Sequence, residues 1–138
     1  MHARAATPLG TALLGTAALL LPATDVRAAE NGTPPAIIAH RGASARAPEN
    51  TLAAVDEAAA LGAVWVENDV QRTRDGALVV LHDDSLRRTT DVEEVFPGRA
   101  PWKVKDFTAA EIRRLDAGSW FGASYAGARV PTLEQYLH

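Results

Sequence analysis

Two short apolar runs, each ending in a histidine, constrain this chain more than anything else in it. Ile38-Ala39 leads into His40-Arg41-Gly42, and Val79-Val80-Leu81 leads into His82-Asp83. Each run reads as a buried strand, so each imidazole stands where a strand gives way to a loop. Between them lie a helical stretch opened by Pro48-Glu49-Asn50-Thr51 and a strand that carries Glu67-Asn68-Asp69. Strand, loop, helix and strand in that order imply parallel pairing and an α/β fold. Polar chemistry gathered at successive strand ends is the habit of a (β/α)8 TIM barrel, which typically needs about 250 residues. The 138 residues here are expected to supply the first two βα units of such a barrel plus an insertion. With the remaining strands absent, part of the apolar strand surface should lack a partner.

The local pattern supplies boundaries. Residues 36–39 should be a strand and 40–48 a loop containing Gly42. Asn50 is placed to cap the helix that follows, with Leu52, Val55 and Ala59 on one face and Gly62 as its stop. Residues 63–70 read as one strand, with Ala63, Trp65, Glu67 and Asp69 on one face and Val64, Val66, Asn68 and Val70 on the other. Trp65 suggests that the first face is a wall turned toward an interior. Arg74-Asp75-Gly76 is a turn, and residues 78–81 are a further strand. The long connection after His82 is punctuated by Pro97-Gly98 and Pro101, and has Trp102, Phe107, Trp120, Phe121 and Tyr125 to bury. Thr108 and Glu111 form a capping box with Phe107 and Ile112 as its staple, predicting a helix from Ala109 to about Leu115. Thr132 and Gln135 open another helix, with Leu133, Tyr136 and Leu137 on one face. The chain ends at His138 in the second turn of that helix, so it is expected to be a fragment.

Residues 1–28 are expected to be a cleaved secretory signal peptide rather than part of the fold. Met1-His2-Ala3-Arg4 is a positive start, Leu9 to Leu21 an uncharged Ala- and Leu-rich run, and Val26-Arg27-Ala28 a small-residue cleavage site. The run is shorter than the roughly 20 apolar residues that span a bilayer, which argues against a stable membrane anchor. Residues 29–35 read as a polar linker. With no cysteine in the chain, an exported protein needs no disulfide and suits a bacterial periplasm or the medium. Cleavage removes two of 14 basic and one of 17 acidic residues, leaving 12 against 16. That acidity, with Arg99, Lys103 and Lys105 spread over what reads as a solvated loop face, argues against nucleic acid as a partner.

The polar residues suggest chemistry. Glu67 and Asp69 share a strand face with Cα atoms about 6.6 Å apart at the usual rise, so their carboxylates can converge on one cation. All-oxygen ligands suit Mg²⁺ or Ca²⁺ rather than zinc or copper. His40 and His82 are candidates for a general acid and base near neutral pH. Arg41 can bind a phosphate through its planar fork of donors, or form a surface ion pair with Glu49.

The four motifs His40-Arg41-Gly42, Pro48-Glu49-Asn50-Thr51, Glu67-x-Asp69 and His82-Asp83, in order and at these spacings, resemble the glycerophosphodiester phosphodiesterase family. The resemblance runs over residues 36–138, through Arg88-Thr89-Thr90 and Pro131-Thr132-Leu133-Glu134, with residues 84–130 similar to the family's insertion. It implies a barrel that hydrolyses a small-molecule glycerophosphodiester, such as a deacylated phospholipid, to glycerol 3-phosphate and an alcohol. By the same resemblance His40 and His82 are the acid–base pair, Arg41 the phosphate clamp and Glu67 and Asp69 ligands of one divalent cation, Ca²⁺ or Mg²⁺. Glu49 would orient Arg41 or contact the ligand. Which histidine is acid is left open, with His40 as base and His82 as acid preferred. A further acidic ligand, in a Glu-x-Lys motif on a later strand of the family, is expected past His138. Two other readings stand beside this one: a barrel related to sphingomyelinase D, and a non-catalytic product that only binds phosphate or a partner.

Overall fold

The structure, a computed structural model, describes residues 35–138. The expected signal peptide and all but the last residue of the expected linker lie outside the described residues. Among those residues no helix is long and apolar enough to cross a membrane.

The chain enters as β1 (Ile38–His40), turns through residues 41–50, and forms α1 (Leu52–Ala60) and β2 (Trp65–Glu67). β1 and β2 pair in parallel, with Ile38 opposite Trp65 and His40 opposite Glu67. The expected βαβ unit is therefore present, but His40 is the last residue of its strand rather than the first of the loop. Thr51, not Asn50, caps α1: its hydroxyl accepts from the Ala54 N–H at 3.3 Å and donates to Pro48 O at 2.6 Å. The buried face of α1 is Ala54 and Ala58, while Leu52 is exposed. The turn at Gly42 lies close against Ala54: a Cβ on residue 42 would stand 2.7 Å from the Ala54 backbone and Cβ, so the turn takes glycine. Gly62 ends the helix as expected, with φ +79° and its N–H donating to Ala59 O.

The single strand expected over 63–70 is instead two, because the chain changes partner at Asn68-Asp69. β2 follows β1, whereas β3 (Val70–Arg72) forms an antiparallel hairpin with β4 (Leu78–Val80), Val70 opposite Val80. The Arg74-Asp75-Gly76 turn closes that hairpin, with the Thr73 N–H donating to Ala77 O at 2.9 Å. Among the described strands, parallel pairing is thus confined to β1 and β2.

The core lies in what the sequence suggested was an insertion. Leu86, Val92, Val104, Phe107, Ile112, Leu115, Ala117 and Val130 pack in one cluster against Val79 and Leu81 from the end of β4. Two short helices serve it, α2 (Val92–Val95) and α3 (Ala109–Ile112), and a third, α4 (Leu133–Leu137), lies against β4. The Val80 N–H donates to Pro131 O at 2.9 Å, which brings the segment back to β4. Both expected capping boxes form, at Thr108/Glu111 and Thr132/Gln135. α3 stops at Ile112, short of Leu115, because its last turn tightens to Leu115 N–H···O Ile112 bonding. On α4 only Tyr136 is buried, and Leu137 stays exposed. Arg99 is not part of a solvated face: its guanidinium stacks 3.8 Å from the Phe107 ring centroid and reaches Glu111 and the Asp106 carbonyl. Trp65 is 62% exposed and Val64 84% exposed, so the β1–β2 face meets no interior among the described residues.

Candidate active site

β1 delivers His40 beside Glu67 of β2, with Nε2 3.8 Å from Glu67 Oε2. The chain then reverses through two left-handed residues, Arg41 (φ +55°) and Gly42 (φ +77°). A left-handed backbone is strained for arginine, and it turns the Arg41 N–H onto Glu67 Oε2 at 3.0 Å. The Arg41 side chain is largely buried and lies between two carboxylates. Its Nη1 donates to Glu49 Oε1 at 3.1 Å, and its Nε sits 3.2 Å from Asp69 Oδ2. The Nε–H is out of line for a hydrogen bond there, which leaves this buried donor without an acceptor.

Asp69 occupies the point where the chain changes strand partner. Its carboxylate accepts from Asn50 Nδ2 at 3.0 Å, its N–H donates to Asn50 Oδ1 at 3.3 Å, and its carbonyl accepts from the Leu81 N–H at 2.9 Å. Asn50 is buried with φ +58°, a conformation asparagine tolerates better than most residues. The side chain expected to cap α1 therefore holds Asp69.

At the end of β4 the His82 ring places Nδ1 2.7 Å from Asp83 Oδ1. Arg88 binds Asp83 through Nε at 2.8 Å and Nη2 at 3.0 Å, and Glu49 through Nη1 at 2.9 Å and Nη2 at 2.7 Å. The Arg88 hydrogen bond is the main reason that the Glu49 and Asp83 carboxyls lie below the usual carboxylate range. Arg88 is in turn raised, by Glu49 first and Asp83 second. Tyr136 of α4 is pushed up to about 12 by burial, then by the Glu67 and Asp69 charges, and its hydroxyl has no hydrogen-bond partner.

The six residues singled out in the sequence (His40, Arg41, Glu49, Glu67, Asp69 and His82) are thus joined in one run of contacts. Three further residues complete it. Asp83 was visible as the neighbour of His82. Asn50 offered a cap signal that Thr51 takes instead. Arg88 stands in the Arg88-Thr89-Thr90 stretch of the resemblance, but its role is not legible there, since its partner Glu49 is 39 positions away.

Glu67 Oε2 and Asp69 Oδ2 are engaged by Arg41 and Asn50, while Glu67 Oε1 and Asp69 Oδ1 accept no hydrogen bond among the described residues. An all-oxygen pair with free lone pairs suits a hard cation. Four carboxylates (Glu49, Glu67, Asp69 and Asp83) share this network with two guanidiniums, so it also carries surplus negative charge when the histidines are neutral. Among the described residues no group of three or more His, Cys, Asp and Glu side chains is placed to hold a metal.

Residues 40–138 match the model of the glycerophosphoryl diester phosphodiesterase family. The chain belongs to that family. A glycerophosphodiester phosphodiesterase of Caldanaerobacter subterraneus subsp. tengcongensis is 53% identical over 97 residues, covering 70% of this chain and 37% of that protein. One of Bacillus subtilis is 44% identical over 108 residues, covering 72% of this chain and 34% of its own length. Among solved structures, an Oleispira antarctica phosphodiesterase in complex with the product sn-glycerol-3-phosphate superposes with a TM-score of 0.65 at 45% identity. That match covers 74% of this chain and 38% of the Oleispira chain. The chain therefore spans well under half the length of these relatives. The family match favours the first of the two barrel readings over a sphingomyelinase D relationship.

Proposed function

We propose that the chain carries the acid–base and phosphate-binding part of a glycerophosphodiester phosphodiesterase, within the (β/α)8 barrel that its family resemblance implies. The observation that supports this best is the unbroken run of contacts from His40 through Glu67, Arg41, Glu49, Arg88 and Asp83 to His82. Two imidazoles and a guanidinium with a spare donor are the parts a phosphodiester hydrolysis needs.

Arg41 binds the phosphoryl group through the N–H groups that Glu49 does not occupy, and stabilises charge that grows on the non-bridging oxygens. Glu49 fixes the plane of that guanidinium. His40, as base, takes a proton from the nucleophile, either water or the substrate's own neighbouring hydroxyl. The bond from phosphorus to the departing alcohol breaks, and His82, as acid, protonates the alkoxide. The products are glycerol 3-phosphate and the alcohol. With Nδ1 of His82 committed to Asp83, Nε2 is the nitrogen left to transfer that proton. Glu67 and Asp69 would hold a divalent cation, Ca²⁺ or Mg²⁺. Bound there, it would supply Lewis-acid stabilisation of the phosphoryl oxygens. An exported enzyme acting on small phosphodiesters outside the cytoplasm is the setting that the leader-like start of the sequence supports.

The test is release of glycerol 3-phosphate from glycerophosphocholine, with Ca²⁺, Mg²⁺ or EDTA. It compares the 138-residue chain with the same chain carrying whatever the gene encodes past His138. Turnover abolished by EDTA in either form supports the reading. Saturable binding of glycerol 3-phosphate without turnover in both forms would replace it with a binding role.

A further inference from the structure

We propose that Arg88 is a positioning residue, which clamps Glu49 and Asp83 together and through Asp83 fixes His82 as the Nδ1–H tautomer. The catalytic consequence rests on the function proposed above, whereas the tautomer itself does not.

The geometry is unusual for a surface arginine. Three of its nitrogens make four hydrogen bonds of 2.7–3.0 Å to two carboxylates that come from different parts of the chain. Glu49 belongs to the loop after β1, and Asp83 follows β4. An ordinary exposed ion pair contributes little, but a guanidinium bidentate to both partners adds directional constraint. The turn that carries Arg88 is itself held. Leu86 is fully buried in the core, Thr89 is buried, and the Thr90 hydroxyl donates to Leu86 O at 2.5 Å. The core cluster therefore sets where the clamp stands.

Asp83 then passes this placement to the imidazole. Its Oδ2 is taken by Arg88 Nε, and its Oδ1 is shared by Arg88 Nη2 and His82 Nδ1. A carboxylate fixed by a guanidinium in this way stays ionised and can only accept. The Nδ1 of His82 must therefore carry the hydrogen, and Nε2 is the proton-transfer atom. Lysine at 88 would supply the charge but could not reach both carboxylates in one plane. Arg41 shares Glu49 Oε1 with Arg88, so the same clamp also fixes the distance between the phosphate-binding side and His82.

The experiment reads the His82 tautomer directly. Long-range ¹⁵N–¹H spectra of the labelled chain, with His82 assigned by its absence in His82→Asn, are compared for wild type, Arg88→Met, Arg88→Lys and Asp83→Asn. The expected result is a predominantly Nδ1–H ring in wild type. All three variants should shift toward the Nε2–H form that unconstrained histidine prefers. If Arg88→Met does not fold, Arg88→Lys and Asp83→Asn still decide. A ring that keeps its tautomer when Arg88 is replaced overturns the proposal. In whichever form turns over glycerophosphocholine, Arg88→Lys should lower kcat about 10-fold or more, part of what a positioned acid supplies, with KM changed less than about 3-fold. A raised KM at unchanged kcat would mark Arg88 as a substrate contact and also overturn it. Absence of turnover in wild type counts against the proposed function alone, and leaves the tautomer result standing.

Discussion

Replacing Gly42 by alanine should be among the most damaging single-methyl changes available to this chain. Gly42 adopts φ +77°, and a Cβ built there would lie 2.7 Å from the carbonyl carbon, the oxygen and the Cβ of Ala54. None of these atoms can swing away, since two are helix backbone and the third is fixed to it. A left-handed conformation costs a non-glycine residue about 1–2 kcal/mol. Pushing α1 outward adds about 1–3 kcal/mol of overpacking strain. It also stretches the Ala43 N–H···O Ala54 hydrogen bond, now 2.8 Å. The expected loss is about 2–5 kcal/mol, from these two principles together. Gly76 provides the control: its φ is +86°, but nothing lies within 4 Å of an added Cβ, so Gly76→Ala bears only the conformational part. Urea unfolding followed by tryptophan fluorescence gives both values from the midpoint at constant slope. Equal losses in the two variants would show that the Gly42–Ala54 contact yields freely, and would refute the packing argument.

Three further outcomes are expected. His82→Ala should lower kcat on glycerophosphocholine by roughly 10²-fold or more, the scale of a positioned acid or base, and near-normal turnover would remove it from that role. Glu67→Ala should raise the Ca²⁺ or Mg²⁺ concentration at half-maximal activity, so an unchanged metal titration would exclude Glu67 as a ligand. Glu111 is held at about 2 against an ordinary 4.5, by the Thr108 N–H first and with help from Arg99. A depressed carboxyl stabilises the fold fully above its unfolded value and loses that contribution as pH falls through the folded one. Unfolding midpoints of wild type should therefore drop between about pH 4.5 and 2 more steeply than those of Glu111→Gln, and parallel curves would contradict the assignment.

What the sequence makes legible follows from where the determinants are local. The capping boxes at Thr108/Glu111 and Thr132/Gln135 form as expected, because a cap needs only four adjacent residues. The Arg74-Asp75-Gly76 turn and the Gly62 stop are local for the same reason. The strand over 63–70 is not. Its alternation is unbroken in the sequence, and the break at Asn68-Asp69 comes from two different neighbours, β1 on one side and β4 on the other. The buried face of α1 is less legible: the apolar pattern points to Leu52, Val55 and Ala59, whereas the structure buries Ala54 and Ala58, with Ala54 against the close turn at Gly42. At the site, motif spacing singles out six residues that the structure joins through contacts, but it assigns no role to Arg88, whose partner Glu49 is supplied by the fold.

Asp69 shows why the site and the change of strand partner belong together. A residue that leaves a parallel neighbour and takes up an antiparallel one has backbone groups that neither ladder satisfies, and buried N–H and C=O groups must find partners. Asp69 finds them in Asn50 Oδ1 and the Leu81 N–H, and Leu81 precedes His82. The Asn50 side chain then binds the Asp69 carboxylate as well, and the Asn50 N–H donates to Arg41 O at 3.0 Å. The ends of β1, β2 and β4 are thus tied at one residue whose side chain faces Arg41. Removing the Asn50 amide would leave the Asp69 N–H without its acceptor, which costs about 1–3 kcal/mol when buried. It would also free the carboxylate that Arg41 and a cation would share. Loss of stability and loss of cation affinity should therefore appear together in Asn50→Ala, and an Asn50→Ala protein that binds the cation as wild type does would separate the strand crossover from the site.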